Sequence, residues 1–278
     1  MGLVAHYSAK NGNNVNLNRR LHLKYFAAEE APKAVVLSVV CAMRNVVHCV
    51  GAFLESYRQE CTIDTQLVMV DGASTDGSWE ILLSHKDIID VAVSEHDSGI
   101  YDAWNKALPM CTGRYVSFIG ADDRIASGGI RHLIAAINNV TNEPHLISGF
   151  NIHTRQGLPV ALLGEQYNPD RLYRRMMIAH VMSAHCLSWL VSVHGFDISY
   201  RSSGDYELLL RERSSLRVGT LNVILAYMED GGASRTSLQP FFENYRARLD
   251  NGVPRWICAA LLIRALLGLI GRGLGLRR

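Results

Sequence analysis

The sequence predicts an α/β fold: a mostly parallel β-sheet with helices on both faces, followed by a C-terminal helical tail. Two observations carry this. Short apolar runs rich in β-branched residues alternate with stretches of helical spacing, the pattern of βαβ units. Acidic residues stand where several of those runs stop, at the strand ends where an open parallel sheet binds its ligands.

The elements follow in order. Residues 34–42 (AVVLSVVCA) read as a buried first strand, and 46–57 as its crossover helix. Residues 66–70 (QLVMV) form a second strand that stops at Asp71, and a helix entered near Asp76 as N-cap runs through Trp79, Ile81 and Leu82. A short strand spans 91–94. Beyond Gly99, the spacing of Ile100, Trp104, Ala107 and Leu108 predicts a helix whose apolar face, Trp104 included, lies on the sheet. Residues 114–119 (RYVSFI) are a fourth strand ending in Gly120-Ala121-Asp122-Asp123, followed by a helix over 128–137 and a strand over 146–150. Residues 152–163 predict a hairpin turned by Gln156-Gly157, 169–178 a helix, 206–213 a helix entered from Ser203-Gly204-Asp205, 217–228 a late strand, and 234–251 another helix.

With 278 residues, 48% of them apolar, the chain can bury one large core. Its 28 basic and 26 acidic residues leave a net charge of +2, without the concentrated basic face that nucleic-acid binding requires, so no nucleic-acid partner is expected. Six scattered cysteines and the absence of an HExxH pattern argue for free thiols in a reducing, cytoplasmic setting. Any metal should then be a hard ion held by carboxylates. Residues 1–33 read as a polar, loosely ordered leader without an apolar signal segment. Residues 255–278 (RWICAALLIRALLGLIGRGLGLRR) are strongly apolar, but Arg264 and Arg272 interrupt them, whereas a spanning helix needs about 20 uncharged apolar residues. An interfacial helix on the inner leaflet fits this pattern, and so does a helix packed on the protein's own core.

Turn chemistry accounts for Asp71 or for Asp122-Asp123 taken alone; their coincidence at two strand ends points to a joint site. Here the sequence resembles family 2 glycosyltransferases of the GT-A fold, a Rossmann-like nucleotide-binding core, and within them the bacterial enzymes that build surface polysaccharides. The resemblance rests on VVLSVVCAMRN (35–45), VDGASTDGSWEIL (70–82), SEHDSGIYDAWNKAL (94–108), GRYVSFIGADD (113–123) and GDYELLLR (204–211), which occur in the family's order across residues 34–230. It implies a transferase domain over 34–232, with a nucleotide-sugar half (34–125) and an acceptor half (126–232), and C-terminal helices over 233–278.

The resemblance also assigns roles. Asp71 contacts the nucleoside, with Asn45, Asp97, Gly99, Asn105 and Asp122 completing the donor site. Asp123 holds Mn²⁺ or Mg²⁺, whose charge offsets that of the departing diphosphate. Asp205 is the general base that takes the acceptor's proton, with Glu207 as a substitute and His185 near the acceptor. The implied reaction is inverting transfer from a nucleotide-diphosphate sugar, UDP-linked, to a glycan or lipid-linked acceptor, at the cytoplasmic face of the membrane. The first block departs from the family pattern in lacking a proline and an aromatic before Asn45. Two other readings stand beside this one. Nucleotidyl transfer would use paired carboxylates around two metals, but no P-loop or Gly-Lys run accompanies the first strand. A catalytically inactive scaffold of the same fold is the other.

Overall fold

The computed structural model describes residues 24–28, 34–229 and 238–273. Strand β1 is Lys24–Ala27, β2 Leu37–Met43, β3 Thr65–Asp71, β4 Val91–Ser94 and β5 Tyr115–Gly120. Helices α1 (Val50–Glu60), α2 (Ser78–Leu83) and α3 (Ile100–Ala107) connect them. The second half contains β6 (Arg124–Ile125), α4 (Gly129–Asn139), β7 (Leu146–Arg155), β8 (Leu158–Leu163), α5 (Pro169–Leu172), β9 (Ala184–Cys186), α6 (Leu187–Ser192), α7 (Gly204–Arg211) and β10 (Val218–Glu229). Helices α8 (Gln239–Asp250) and α9 (Arg255–Gly273) follow.

One sheet of ten strands holds all of this, in the order β1-β4-β3-β2-β5-β9-β7-β10-β6, with β8 paired to β7. Strands β4, β3, β2 and β5 are parallel. The chain winds outward from β2 to β4 and then returns to β5 on the other flank of β2, so the topological switch point lies between β2 and β5. All seven residues of β3 are buried, as expected of a parallel strand covered on both faces. Antiparallel β9 joins the halves, bonding to β5 on one side and β7 on the other.

A buried polar knot fixes the register of the central strands. Ser38 Oγ donates to Gln66 Oε1 (2.7 Å), and Gly113 N donates to Ser38 Oγ (2.9 Å). Gln66 also accepts from Thr112 N (2.9 Å) and donates to Met110 O (3.1 Å). A Cβ at Gly113 would lie 2.6 Å from Ser38 N, so only glycine permits this approach. The knot ties β2, β3 and the entry to β5 at one level. Their far ends then also arrive level, with Met43 beside Asp71 and Ala42 beside both Val70 and Gly120.

Several expectations need correction. Within the expected loose leader, Lys24–Ala27 pair with β4 as an edge strand; residues 1–23 and 29–33 lie outside the described residues. Helix α1 begins at Val50 rather than 46: Cys49 is out of helical geometry (φ −131°), and the amides of residues 45–47 bond to the following loop and the first residue of α2. Gly77, at φ 97°, occupies the N-cap position of α2, while Asp76 bonds to Ser78 N (3.0 Å) from one residue earlier. The helix expected over 169–178 is the single turn α5: Arg248 takes the Tyr173 carbonyl (2.6 Å) and Glu165 N takes that of Met177 (2.8 Å). Strand β7 runs on into the predicted hairpin, whose turn residues Gln156 and Gly157 are both left-handed (φ 52° and 75°). The start expected for α8 at 234 and the tail beyond 273 lie outside the described residues.

Helix α8 secures the segment that precedes α7. The Glu243 carboxylate accepts from the backbone amides of Arg201 (2.9 Å), Ser202 (2.8 Å) and Ser203 (2.9 Å). Burial pushes this acid upward, but the amide bonds outweigh it and hold Glu243 below the ordinary carboxylate range. A lowered carboxylate stabilises the fold above its unfolded value, and that stability is lost as pH falls through the folded value. Glu243→Ala should therefore cost about 2–4 kcal/mol at neutral pH. Thermal melts should show the gap from the parent narrowing below about pH 4.3, the ordinary glutamate value. A gap that persists at low pH would refute this account of the clamp.

Candidate active site

The loops leaving β2 and β3 are bonded to each other. Asn45 N donates to Ser74 Oγ (2.8 Å), and Thr75 N donates to Asn45 Oδ1 (2.9 Å). Val46 N reaches Ser78 Oγ (2.9 Å) and Val47 N reaches Asp76 Oδ2 (3.0 Å). Asn45 adopts the left-handed conformation (φ 52°), which asparagine tolerates better than most residues. Asp71 is completely buried, and its carboxylate accepts from Ser74 N, Ser74 Oγ and Ser94 Oγ. In this arrangement Asp71 and Asn45 tie the loops after β2 and β3 together and form the floor of the candidate site.

The loop after β4 lies over that floor. The Asp97 carboxylate sits directly against Gly72, where any Cβ would collide with it, and accepts from Gly99 N (2.9 Å). Gly99 opens α3 at φ 136°, a conformation that favours glycine. Across from it, Arg201 Nη1 would stand 2.9 Å from a Cβ at Gly99, which brings this arginine to the rim. Sequence reasoning missed Arg201; its only signal is its place just before the GDYELLLR block. Asn105, by contrast, does not face the cleft. Its amide donates to Phe196 O (2.7 Å) and accepts from Phe196 N (2.9 Å), pinning the loop before α7.

Beyond β5, the Asp122 and Asp123 carboxylates both crowd Gly120. A Cβ there would lie 2.5 Å from Asp122 Oδ1 and 3.2 Å from Asp123 Oδ2. Asp122 is exposed, whereas Asp123 is only 8% exposed. Burial, and after it the neighbouring Asp122 charge, pushes Asp123 up to about 7. Among the described residues no ion pair offsets either carboxylate. Nor does any cluster of three or more His, Cys, Asp or Glu there suit a metal ion. The donor set thus fits a hard divalent cation only if phosphate oxygens and water complete its shell, the usual situation for Mg²⁺. All six cysteines are free thiols, and Cys49 is half-buried near the acidic pair.

Asp205 lies in the first turn of α7, behind Ser203 at the N-cap. Its Oδ1 accepts from Tyr101 Oη (3.1 Å) and from Tyr206 N (2.9 Å). The histidine near it is His180 rather than His185: burial lowers the His180 imidazole, and the Asp205 charge partly opposes that. His180 stacks on Trp104 at 5.3 Å between ring centroids. His185 is fully buried behind it, Nε2 to Nε2 at 3.1 Å, and is pushed far down by burial and then by His180. It has no exposed edge to offer an acceptor. Glu207 is also misplaced for the role of substitute base. It is buried, pairs with Arg211 at 3.2 Å, and lies beside Asn251 and Asp250 of the α8 end.

Residues 38–178 match the family described as "Glycosyl transferase family 2". A "PGL/p-HBAD biosynthesis glycosyltransferase" of Mycobacterium tuberculosis is 26% identical over 223 residues, covering 75% of this chain and 83% of the relative. The "Putative teichuronic acid biosynthesis glycosyltransferase TuaG" of Bacillus subtilis is 42% identical over 92 residues, 32% of this chain and 36% of the relative. Among solved structures, S. aureus TarS 1-349 in complex with UDP-GlcNAc superposes with a TM-score of 0.65 at 16% identity, covering 84% of this chain and 72% of that one. The mannosyltransferase PcManGT of Pyrobaculum calidifontis, with GDP-Man and Mn²⁺, gives 0.57 at 18% identity over 99% and 92% of the two chains. These likenesses bear out the GT-A fold.

The raised Asp123 carboxyl has a measurable consequence. Because the folded state holds this proton more tightly than the unfolded chain, stability falls as pH rises from 3.8 to about 7. Asp123→Asn removes that loss. It should stabilise the protein at pH 8 by up to about 4 kcal/mol, at about 1.36 kcal/mol per pKa unit. At pH 4 it should change little. Melting temperatures at both pH values test this, and an equal shift at the two would refute it.

Proposed function

We propose that this chain, which belongs to glycosyl transferase family 2, is an inverting, metal-dependent enzyme that moves a sugar from a UDP-linked donor to a glycan or lipid-linked acceptor in surface polysaccharide biosynthesis. The observation that carries the reading is the uncompensated Asp122-Asp123 pair at the switch point, together with Asp205 on α7, whose Oδ1 is fixed by two donors. The named relatives support the pathway class, and the solved structures holding UDP-GlcNAc or GDP-Man support a nucleotide-sugar donor. A further E. coli relative, 28% identical over 89 residues, is named a UDP-Glc:alpha-D-GlcNAc-diphosphoundecaprenol beta-1,3-glucosyltransferase, which supports a lipid-linked acceptor.

In this mechanism the loops bearing Asp71, Asn45, Asp97 and Gly99 form the donor cleft. Asp123, with Asp122 beside it, would hold Mn²⁺ or Mg²⁺, which when bound supplies the charge that stabilises a departing diphosphate. Asp205 takes the proton of the acceptor hydroxyl as that oxygen attacks the anomeric carbon. The bond from that carbon to the diphosphate breaks on the opposite side, and its electron pair leaves with the diphosphate. A single displacement of this kind inverts the anomeric centre. Membership of the family sets the nucleotidyltransferase reading aside. The inactive-scaffold reading leaves the oriented carboxylate of Asp205 without a purpose.

Helix α9 supports contact with the inner leaflet. No helix among the described residues is long and apolar enough to cross a membrane. Yet Trp256 (74% exposed), Ile263, Leu267 and Ile270 line one face of α9, Arg264 lies beside them, and the helix contains no acidic residue. Its other side packs on α8, with Cys258 buried. An apolar face with flanking arginines suits a surface of anionic lipid.

Two experiments test these readings. A thermal-shift panel of UDP, GDP, dTDP and CDP with and without Mn²⁺ should show stabilisation by UDP that requires the metal. A response to none of them would overturn the donor site, and a response to another base would overturn uridine. For the tail, Ile263→Glu with Leu267→Glu should abolish sedimentation with phosphatidylglycerol vesicles while leaving the melt unchanged. Unaltered sedimentation would remove α9 from the membrane.

A further inference from the structure

Tyr101 has two places in the molecule. Its ring belongs to the core, almost fully buried, edge-on to Trp104 (5.3 Å, 80°) and tilted against Phe196 (5.6 Å, 32°). Its hydroxyl leaves that core and reaches the first turn of α7, donating to Asp205 Oδ1 at 3.1 Å. The amides of Gly204 and Asp205 lie against the Tyr101 hydroxyl oxygen. This approach depends on Gly204, where a Cβ would stand 2.9 Å from ring atoms Cδ2 and Cε2 of Tyr101. A phenylalanine would fill the same core volume, so packing alone does not account for the hydroxyl.

Position in the chain adds a second argument. Tyr101 is the second residue of α3, two residues after Gly99, whose amide is held by Asp97, which in turn rests on Gly72. One rigid turn of helix thus runs from the loop over the donor cleft to the carboxylate on α7. Oδ1 is occupied by Tyr101 Oη and Tyr206 N, while Oδ2 has no partner among the described residues. A carboxylate anchored through one oxygen presents the other in a fixed direction.

Resting on the reading of Asp205 as general base, we propose that Tyr101 is the positioning residue that aims this carboxylate, and that it couples the base to the donor loop. Its hydroxyl keeps its own proton throughout: burial first, and then the Asp205 charge, hold it well above the ordinary tyrosine range. The proton of the acceptor goes to Oδ2, and Oδ1 remains bonded to Tyr101 as the negative charge disappears. Burial lowers the His180 imidazole near Asp205, and the Asp205 charge partly opposes that.

Tyr101→Phe removes one oxygen and leaves the ring packing in place. In the full-length enzyme, kcat should fall about tenfold, the scale of one hydrogen bond to a charged group. KM for donor and acceptor should stay within about twofold, because no contact to either is removed. The same substitution in an Asp205→Asn background should have no further effect on residual transfer, since the hydrogen bond acts only through that carboxylate. Equal losses in the two backgrounds, or a rise in KM with unchanged kcat, would overturn the assignment. Normal transfer by Asp205→Asn alone would remove Asp205 as base and is a separate failure. Inactive Asp205→Asn with fully active Tyr101→Phe would leave the base standing and sink only the positioning role.

Discussion

The active-site architecture depends on the register of three parallel strands. The knot of Ser38, Gln66 and Gly113 at the entry end fixes β2 against β3 and β5, and the loops bearing Asn45, Ser74 and Asp122 leave from the opposite end. Side chains alternate faces along a strand, so a slip of one residue between β2 and its neighbours would carry Asp71 out of step with Met43 and Gly120 out of step with Ala42. The floor of the cleft would be lost with it. Buried polar bonds suit this task, because leaving any of them unmade costs more than forming it returns.

The acidic residues of this protein divide by what surrounds them. Glu243 is saturated by backbone amides and Asp71 by hydroxyls and an amide; both are bound into the fold and serve it. Asp90 similarly accepts from Leu67 N at 2.7 Å. Asp123 has only weak amide contacts, a like charge beside it and little water. A carboxylate in that position lacks the partners that settle Glu243 and Asp71, which makes it a candidate ligand for a cation.

Much of the fold was legible because its central strands are short, continuous and β-branched, and the glycines and aspartates that stop them are unambiguous. Strand β9 was not, since three residues (Ala184–Cys186) have no detectable period and form a strand only because β5 and β7 already flank them. The site divides in the same way. Asp122 and Asp123 stand out in the sequence because motif and strand end coincide, and Asp205 because its block opens a helix. The error at Asn105 arose because its sequence block is right but its side chain turns toward Phe196, 91 residues away. His185 and His180 stand five residues apart, and which of them lies near Asp205 depends on packing, which a sequence block does not encode. Glu207 lies two residues beyond Asp205 on α7, and consecutive odd positions on a helix face different neighbours.

The short antiparallel splice has a consequence for motion. Since β9 is hydrogen-bonded to β5 on one side and to β7 on the other, the strands of the two halves form one uninterrupted sheet over one apolar core. The two halves therefore cannot close on each other as hinged bodies, as two-lobed enzymes do. Any opening and closing over the candidate site is then a motion of its loops, carried on one shared sheet.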